Sequence, residues 1–130
     1  MISRYMQEQL PKVLIVDDEK SLLNSLMAFF EDENFTVLGA SSGEEALEIL
    51  RDTEVEAVIV DMRLPGIDGN EVILKAKEMG SKAKFLIHTG STDYKLPKTL
   101  LDLGYRQEHI FLKPLIDLSL LSDTVKKLIS

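Results

Sequence analysis

Val58-Ile-Val-Asp61-Met-Arg-Leu-Pro-Gly-Ile-Asp-Gly69 decides the reading of this chain. A run of apolar, mostly β-branched residues stops on one carboxylate, and a Pro/Gly turn follows at once. Ala57 to Val60 show no polar alternation, which predicts a strand covered on both faces, as in a parallel sheet. In open α/β sheets ligands bind beyond the carboxyl ends of the strands, and Asp61 stands at such an end. A strand-end Asp also serves as a turn or capping residue, so the remainder of the chain has to decide between the two.

Upstream, Lys12-Val-Leu-Ile-Val16 predicts a buried strand that likewise ends on carboxylates: Asp17, Asp18 and Glu19. Leu22, Leu23, Leu26, Met27 and Phe30 recur at helical spacing, with Asn34 as the stop. Phe35 to Ala40 predicts a second strand, more exposed because Thr36 and Gly39 interrupt it. Ser42 and Glu45 form a capping-box pattern at the start of a helix that buries Ala46, Leu47 and Leu50. Downstream of Asp61, Asp68 to Glu71 open a helix carrying Val72, Ile73, Ala76 and Met79, closed by Gly80. Lys84 to His88 predicts a fourth strand ending at Thr89-Gly90. Pro97 suits a first helical turn, leaving a helix of about two turns before Gly104. His109 to Leu112 predicts a fifth strand ending at Lys113-Pro114, and Leu118, Leu121, Val125 and Leu128 mark a final helix.

Five alternations of strand and helix predict an α/β fold: a flavodoxin-like, doubly wound, five-stranded parallel sheet of order 2-1-3-4-5 in three α/β/α layers. The carboxyl ends of strands 1, 3, 4 and 5 then present Asp17 and Asp18, Asp61, Thr89 and Lys113 along one edge. Three crowded carboxylates repel one another and need a positive partner. Lys113 and a divalent cation are the candidates. Oxygen donors without His or Cys favour Mg2+ over zinc or copper. A carboxylate beside a cation, a lysine and a hydroxyl is also suited to accept a phosphoryl group. Thr89 is placed to donate a hydroxyl hydrogen bond to it, and the backbone amides of Met62 and Gly90 to assist.

Composition narrows the alternatives. With 130 residues, 45% hydrophobic and 28% charged, the chain has the make-up of a single soluble globular domain. Its net charge of -7 and the absence of any Lys/Arg block argue against direct nucleic-acid binding. It has no cysteine, hence no disulfide framework and no thiolate chemistry, which suits a cytoplasmic protein. No apolar run reaches membrane-spanning length, and residues 1–11 lack the apolar stretch of a signal peptide. Those eleven residues are expected to form a flexible lead-in to a domain over 12–130. The chain is expected to be either a stand-alone domain or a piece excised from a longer protein.

The ordered set Val16-Asp17-Asp18-Glu19, Val60-Asp61 through Gly69, Thr89-Gly90 and Lys113-Pro114 resembles the receiver domain of two-component response regulators. The resemblance runs from Lys12 to the C-terminus. It implies that Asp61 is phosphorylated by a histidine kinase or histidine phosphotransfer protein in the presence of Mg2+. Asp18, Asp61 and the backbone carbonyl of Arg63 would ligate the metal, with Asp17 acting largely through water. Thr89 would be the switch hydroxyl and Lys113 the phosphate-pairing cation. Phosphorylation would remodel the face made by the fourth helix, fifth strand and fifth helix for a downstream protein partner. The family's switch aromatic lies three residues before the lysine. Ile110 holds that place here, and Phe111 should point to the opposite face of its strand.

His88 reads as an ordinary strand residue, since no second His or Cys is placed to join it. A haloacid-dehalogenase-type phosphatase would need an acid where Arg63 stands. A flavodoxin would need a phosphate-cradling loop where the acidic residues Asp17 to Glu19 stand. The remaining alternative is a phosphorylation-independent interaction module that keeps the receiver fold.

Overall fold

The computed structural model describes Ser3 and residues 9–130. Most of the expected lead-in over residues 1–11 therefore lies outside the described residues. Five parallel strands form one sheet of order β2-β1-β3-β4-β5, as the alternation predicts: β1 (Lys12–Val16), β2 (Thr36–Ala40), β3 (Ala57–Val60), β4 (Lys84–Thr89) and β5 (Ile110–Leu112). The helices are α1 (Lys20–Asp32), α2 (Gly43–Asp52), α3 (Gly69–Glu78), α4 (Lys98–Asp102) and α5 (Ser119–Ile129).

Strand alternation sends side chains into two cores, one on each face of the sheet. Leu14, Val16, Val58, Val60, Phe85 and Ile87 pack with Ala46 of α2, Val72, Ile73 and Ala76 of α3 and Leu100 of α4. Val13, Ile15, Ala57, Ile59 and Leu86 pack on the other side with Leu23, Leu26 and Phe30 of α1 and Leu121 and Val125 of α5. The three-layer arrangement follows from this division. β1, β3 and β4 sit inside the sheet and are almost wholly buried, which is why their sequences lack polar alternation.

Local chemistry sets most element ends. The Asn34 backbone turns left-handed at φ 69°, ending the α1 segment. Ser42 caps α2 through a bond from the Glu45 amide, 3.1 Å. The Glu45 carboxylate accepts from Ser41 N–H at 3.3 Å rather than from the cap residue expected of a capping box. Asp68 caps α3 by accepting the Glu71 amide at 2.9 Å.

The last third departs from expectation. Pro97 caps α4 instead of opening its first turn, and the helix has five residues rather than two full turns. Gly104 stops it with φ 99°. The Arg106 guanidinium then donates to the carbonyls of Leu101 and Tyr105 at 2.9 and 2.7 Å. His109 belongs to a short 3-10 turn, Gln107–His109, and not to β5. Its Nδ1 accepts the Arg106 amide at 2.9 Å, which holds the imidazole in that turn.

Candidate functional site

The site is built at the carboxyl edge of the sheet, where β1, β3 and β5 end side by side with β4 between the last two. Val16 pairs with Val60, so the next residues, Asp17 and Asp61, emerge together. The Asp61 amide donates to the Val16 carbonyl at 3.1 Å and extends the ladder one step further. The Lys113 amide likewise donates to the Thr89 carbonyl, 2.9 Å, fixing the end of β5 against β4. The Lys113–Pro114 peptide bond is cis.

Asp17 and Asp61 are 2% and 7% exposed, and the Lys113 ammonium lies between them. Its Nζ donates to Asp17 Oδ2 at 2.7 Å and to Asp61 Oδ2 at 3.0 Å. The remaining oxygens face backbone donors: Asp17 Oδ1 accepts the Glu19 amide at 2.9 Å, and Asp61 Oδ1 the Arg63 amide at 3.1 Å. Burial works to lower the Lys113 pKa. Hydrogen bonds and Coulomb attraction from Asp17 and Asp61 outweigh it, so the net shift is upward and the ammonium stays charged.

Asp18 completes the acidic cluster from the solvent side. One oxygen from each of Asp17, Asp18 and Asp61 lies within 4.8 Å of the others. Three carboxylates against one ammonium leave an excess of negative charge that a divalent cation would balance. The donors are all hard oxygens, which fits Mg2+. Asp17 already has both oxygens engaged, whereas Asp18 is open to solvent.

Gly69 shows how tightly the loop after Asp61 is folded back. Its amide donates to the Met62 carbonyl at 3.1 Å. A side chain at Gly69 would collide with the Asp61 carbonyl oxygen and come within 2.9 Å of Met62 Cα. Only glycine lets the start of α3 approach the backbone of Asp61 and Met62 this closely.

Thr89 is fully buried at the end of β4, and its Oγ1 accepts the Ser91 amide at 3.2 Å. Among the described residues no hydrogen bond joins it to the carboxylates, so it stands beside the cluster and not in it. Gly90 is exposed, with nothing within 4 Å of the space a side chain would take. Ile110 packs into the core on the α2–α3–α4 face and Phe111 into the opposite one, as the strand alternation requires.

Two features escaped the sequence reading. His88 is 2% exposed, and among the described residues neither ring nitrogen has a hydrogen-bond partner. Burial above all, then the Lys113 charge, lowers its pKa to about 4 against the opposing pull of Asp17 and Asp61. The one signal for it was a histidine in the otherwise apolar run Phe85 to Ile87. The second is Tyr94, in the loop after β4, whose hydroxyl donates to Asn70 Oδ1 at the start of α3, 2.7 Å. A single aromatic in a polar loop was the available hint.

This fold and this carboxylate–lysine cluster define a signalling receiver. The sequence matches the response regulator receiver domain family over residues 13–126, and the chain belongs to that family. It is 30% identical to sporulation initiation phosphotransferase F of Bacillus subtilis over 116 residues, 89% of this chain and 91% of that protein. It is 36% identical over 98 residues to the aerobic respiration control protein ArcA of Escherichia coli, covering 74% of this chain but 40% of ArcA. The chain spans less than half the length of several such curated relatives. Among solved structures, the response regulator TrrA of Thermotoga maritima, in complex with Mg2+ and a beryllium fluoride, superposes with a TM-score of 0.77 at 27% identity. That match covers 92% of this chain and 99% of TrrA. Among the described residues no helix is long and apolar enough to cross a membrane.

Proposed function

We propose that Asp61 is the phosphoacceptor of this receiver domain, which spans residues 12–130, and that a histidine kinase or histidine phosphotransfer protein supplies the phosphoryl group. The observation that carries the reading is Lys113 bridging Asp61 and Asp17 at 3.0 and 2.7 Å. The ammonium donates to the Asp61 carboxylate and is in place to pair with a phosphoryl group that arrives there. A carboxylate oxygen of Asp61 attacks phosphorus while the phosphorus–nitrogen bond of the donor breaks. The electron pair of that bond leaves with the imidazole. Thr89 and the amides of Met62 and Gly90 serve as hydrogen-bond donors to the transferred group.

By likeness to the family, Asp18, Asp61 and the Arg63 carbonyl are the residues to hold Mg2+, with Asp17 reaching it through water; one oxygen of each of the three carboxylates lies within 4.8 Å of the others. Bound there, the ion would neutralise charge on the carboxylates and on the phosphoryl oxygens. The beryllium fluoride complex of TrrA supports this assignment by likeness. The chain takes part in its own phosphorylation and dephosphorylation and turns over no external substrate. Its output is a change in the face made by α4, β5 and α5. That face exposes Leu101, Leu103, Leu112, Ile116 and Leu120 to a downstream protein.

Intact-protein mass spectrometry after incubation with a small phosphodonor and Mg2+ tests the reading. Wild type should gain one phosphoryl group and Asp61→Asn none. An unmodified wild type, with metal binding confirmed, would instead favour the phosphorylation-independent interaction module.

A further inference from the structure

We infer that the cavity at the amino end of β4 is a binding site for a small organic anion: a carboxylate or phosphate monoester on a compact apolar body. The strand lengths create the cavity. β4 runs from Lys84 to Thr89, but β5 pairs with it only from Ile87 to Thr89. The first half of the β4 edge is left without a strand, and the segment from Gly104 to His109 runs beside it instead. There the Tyr105 hydroxyl is hydrogen-bonded to the Phe85 backbone. The Tyr105 ring meets that of His109 edge-on, with centroids 5.6 Å apart. Between this segment and β4 lies a cavity of about 200 Å³, with Ile73, Phe85, Leu103 and Leu128 as its apolar walls. It stands about 16 Å along β4 from Thr89. The site is therefore separate from the acidic edge and does not depend on the reading of Asp61.

Charge gives the ligand its class. Lys77, Lys82, Lys84 and His109 line the cavity, and among the described residues no carboxylate does. The three lysines are exposed and form no ion pair among the described residues. Lys77 sits in the last turn of α3, where a cation suits the helix dipole. That does not account for Lys82 and Lys84, which follow the helix in a chain of net charge -7. His109 adds a donor of fixed position. Its Nδ1 accepts the Arg106 amide at 2.9 Å, which in the neutral ring leaves the proton on Nε2 for a ligand. The Glu108 carboxylate lies 3.9 Å from Nε2, but it is largely solvated and outside the cavity. A neighbouring cleft shares Lys82 and Lys84 but is also lined by Glu54 and Glu56, whose charge offsets theirs. Apolar walls under a ring of cations select a ligand with both characters. An inorganic ion would leave the walls uncovered, and a neutral molecule would leave the lysines unpaired. The volume is below the ~300–1,000 Å³ of drug-sized sites, which restricts the apolar body to the size of a single ring.

The test is an NMR titration of the isotope-labelled protein with benzoate, phenyl phosphate and, as the uncharged control, benzyl alcohol. At least one of the two anions should shift the amides of residues 82–85 and 104–109 saturably, and the tighter one identifies the charged group. Benzyl alcohol should bind about tenfold more weakly. Lys82→Gln combined with Lys84→Gln should weaken anion binding about tenfold. Both side chains are exposed, so the unfolding midpoint of that variant should match wild type. Asp61→Asn should bind the anion as wild type does, which separates this site from the phosphoacceptor. No saturable shift at these amides with either anion, equal binding of benzyl alcohol, or wild-type affinity in the double variant would overturn the site. Anion binding lost in Asp61→Asn would place the anion at the acidic edge and overturn it as well.

Discussion

His88 is the residue least reconciled with its surroundings. It is 2% exposed, lies in the field of Lys113, Asp17 and Asp61, and has no partner for either ring nitrogen among the described residues. Burial, reinforced by Lys113, lowers its pKa from 6.5 to about 4, so the folded protein keeps it neutral where the unfolded chain would protonate it. Between those values the unfolded state binds more protons. Stability is therefore full above about pH 6.5 and is lost as the pH falls toward 4. His88→Leu should remove the orphaned polar atoms and raise stability by about 1–2 kcal/mol at pH 7, and by more at pH 5. Urea unfolding at the two pH values measures both gains. A leucine variant less stable at both would show that the imidazole has a partner in solution.

At the scale of elements, the loop from Asp61 to α3 connects sequence most directly to site geometry. Pro65, Gly66 and Asp68-Gly69 were legible as turn and cap chemistry, because Asp68 bonds its own neighbourhood at Glu71. The strand ends were legible for a similar reason: a parallel sheet puts apolar runs inside and forces the first polar residue to the edge. The Tyr94–Asn70 contact was not, since the two meet across 24 residues and neither a Tyr in a loop nor an Asn in a first helical turn is unusual. The length of α4 was misread because Pro97 is its cap and not its first turn, and the Arg106 guanidinium takes up the Leu101 carbonyl from beyond Gly104, a contact no local pattern announces. Gly69→Ala should force α3 away from the backbone of Asp61 and Met62. The expected cost is about 1–3 kcal/mol by thermal unfolding, with slower phosphorylation. Wild-type stability and rate in that variant would mean the close approach is dispensable.

For the whole molecule, the acidic edge carries an energetic cost that a cation should relieve. Three carboxylates converge with one ammonium in a chain whose net charge is already -7. Mg2+ should therefore raise the unfolding free energy with the logarithm of its concentration once above its Kd, by about 2.7 kcal/mol at a hundredfold excess. Asp18→Asn should lose most of that response, because Asp18 is the carboxylate of the cluster left open to solvent. Calorimetry with and without chelator reads it. An equal Mg2+ response in the variant would place the ion elsewhere. The fold itself was readable from hydrophobic pattern alone, since two cores on opposite faces of one sheet need only apolar strands and amphipathic helices in alternation.

The central claim is that one phosphoryl group passes from histidine to Asp61. The direct measurement is transfer from a phosphorylated histidine phosphotransfer protein, followed by borohydride trapping of the acyl phosphate and peptide mapping. A reduced side chain at position 61 in wild type, absent from Asp61→Asn, is the predicted result. Transfer that maps to another residue, or persists in Asp61→Asn, would contradict it.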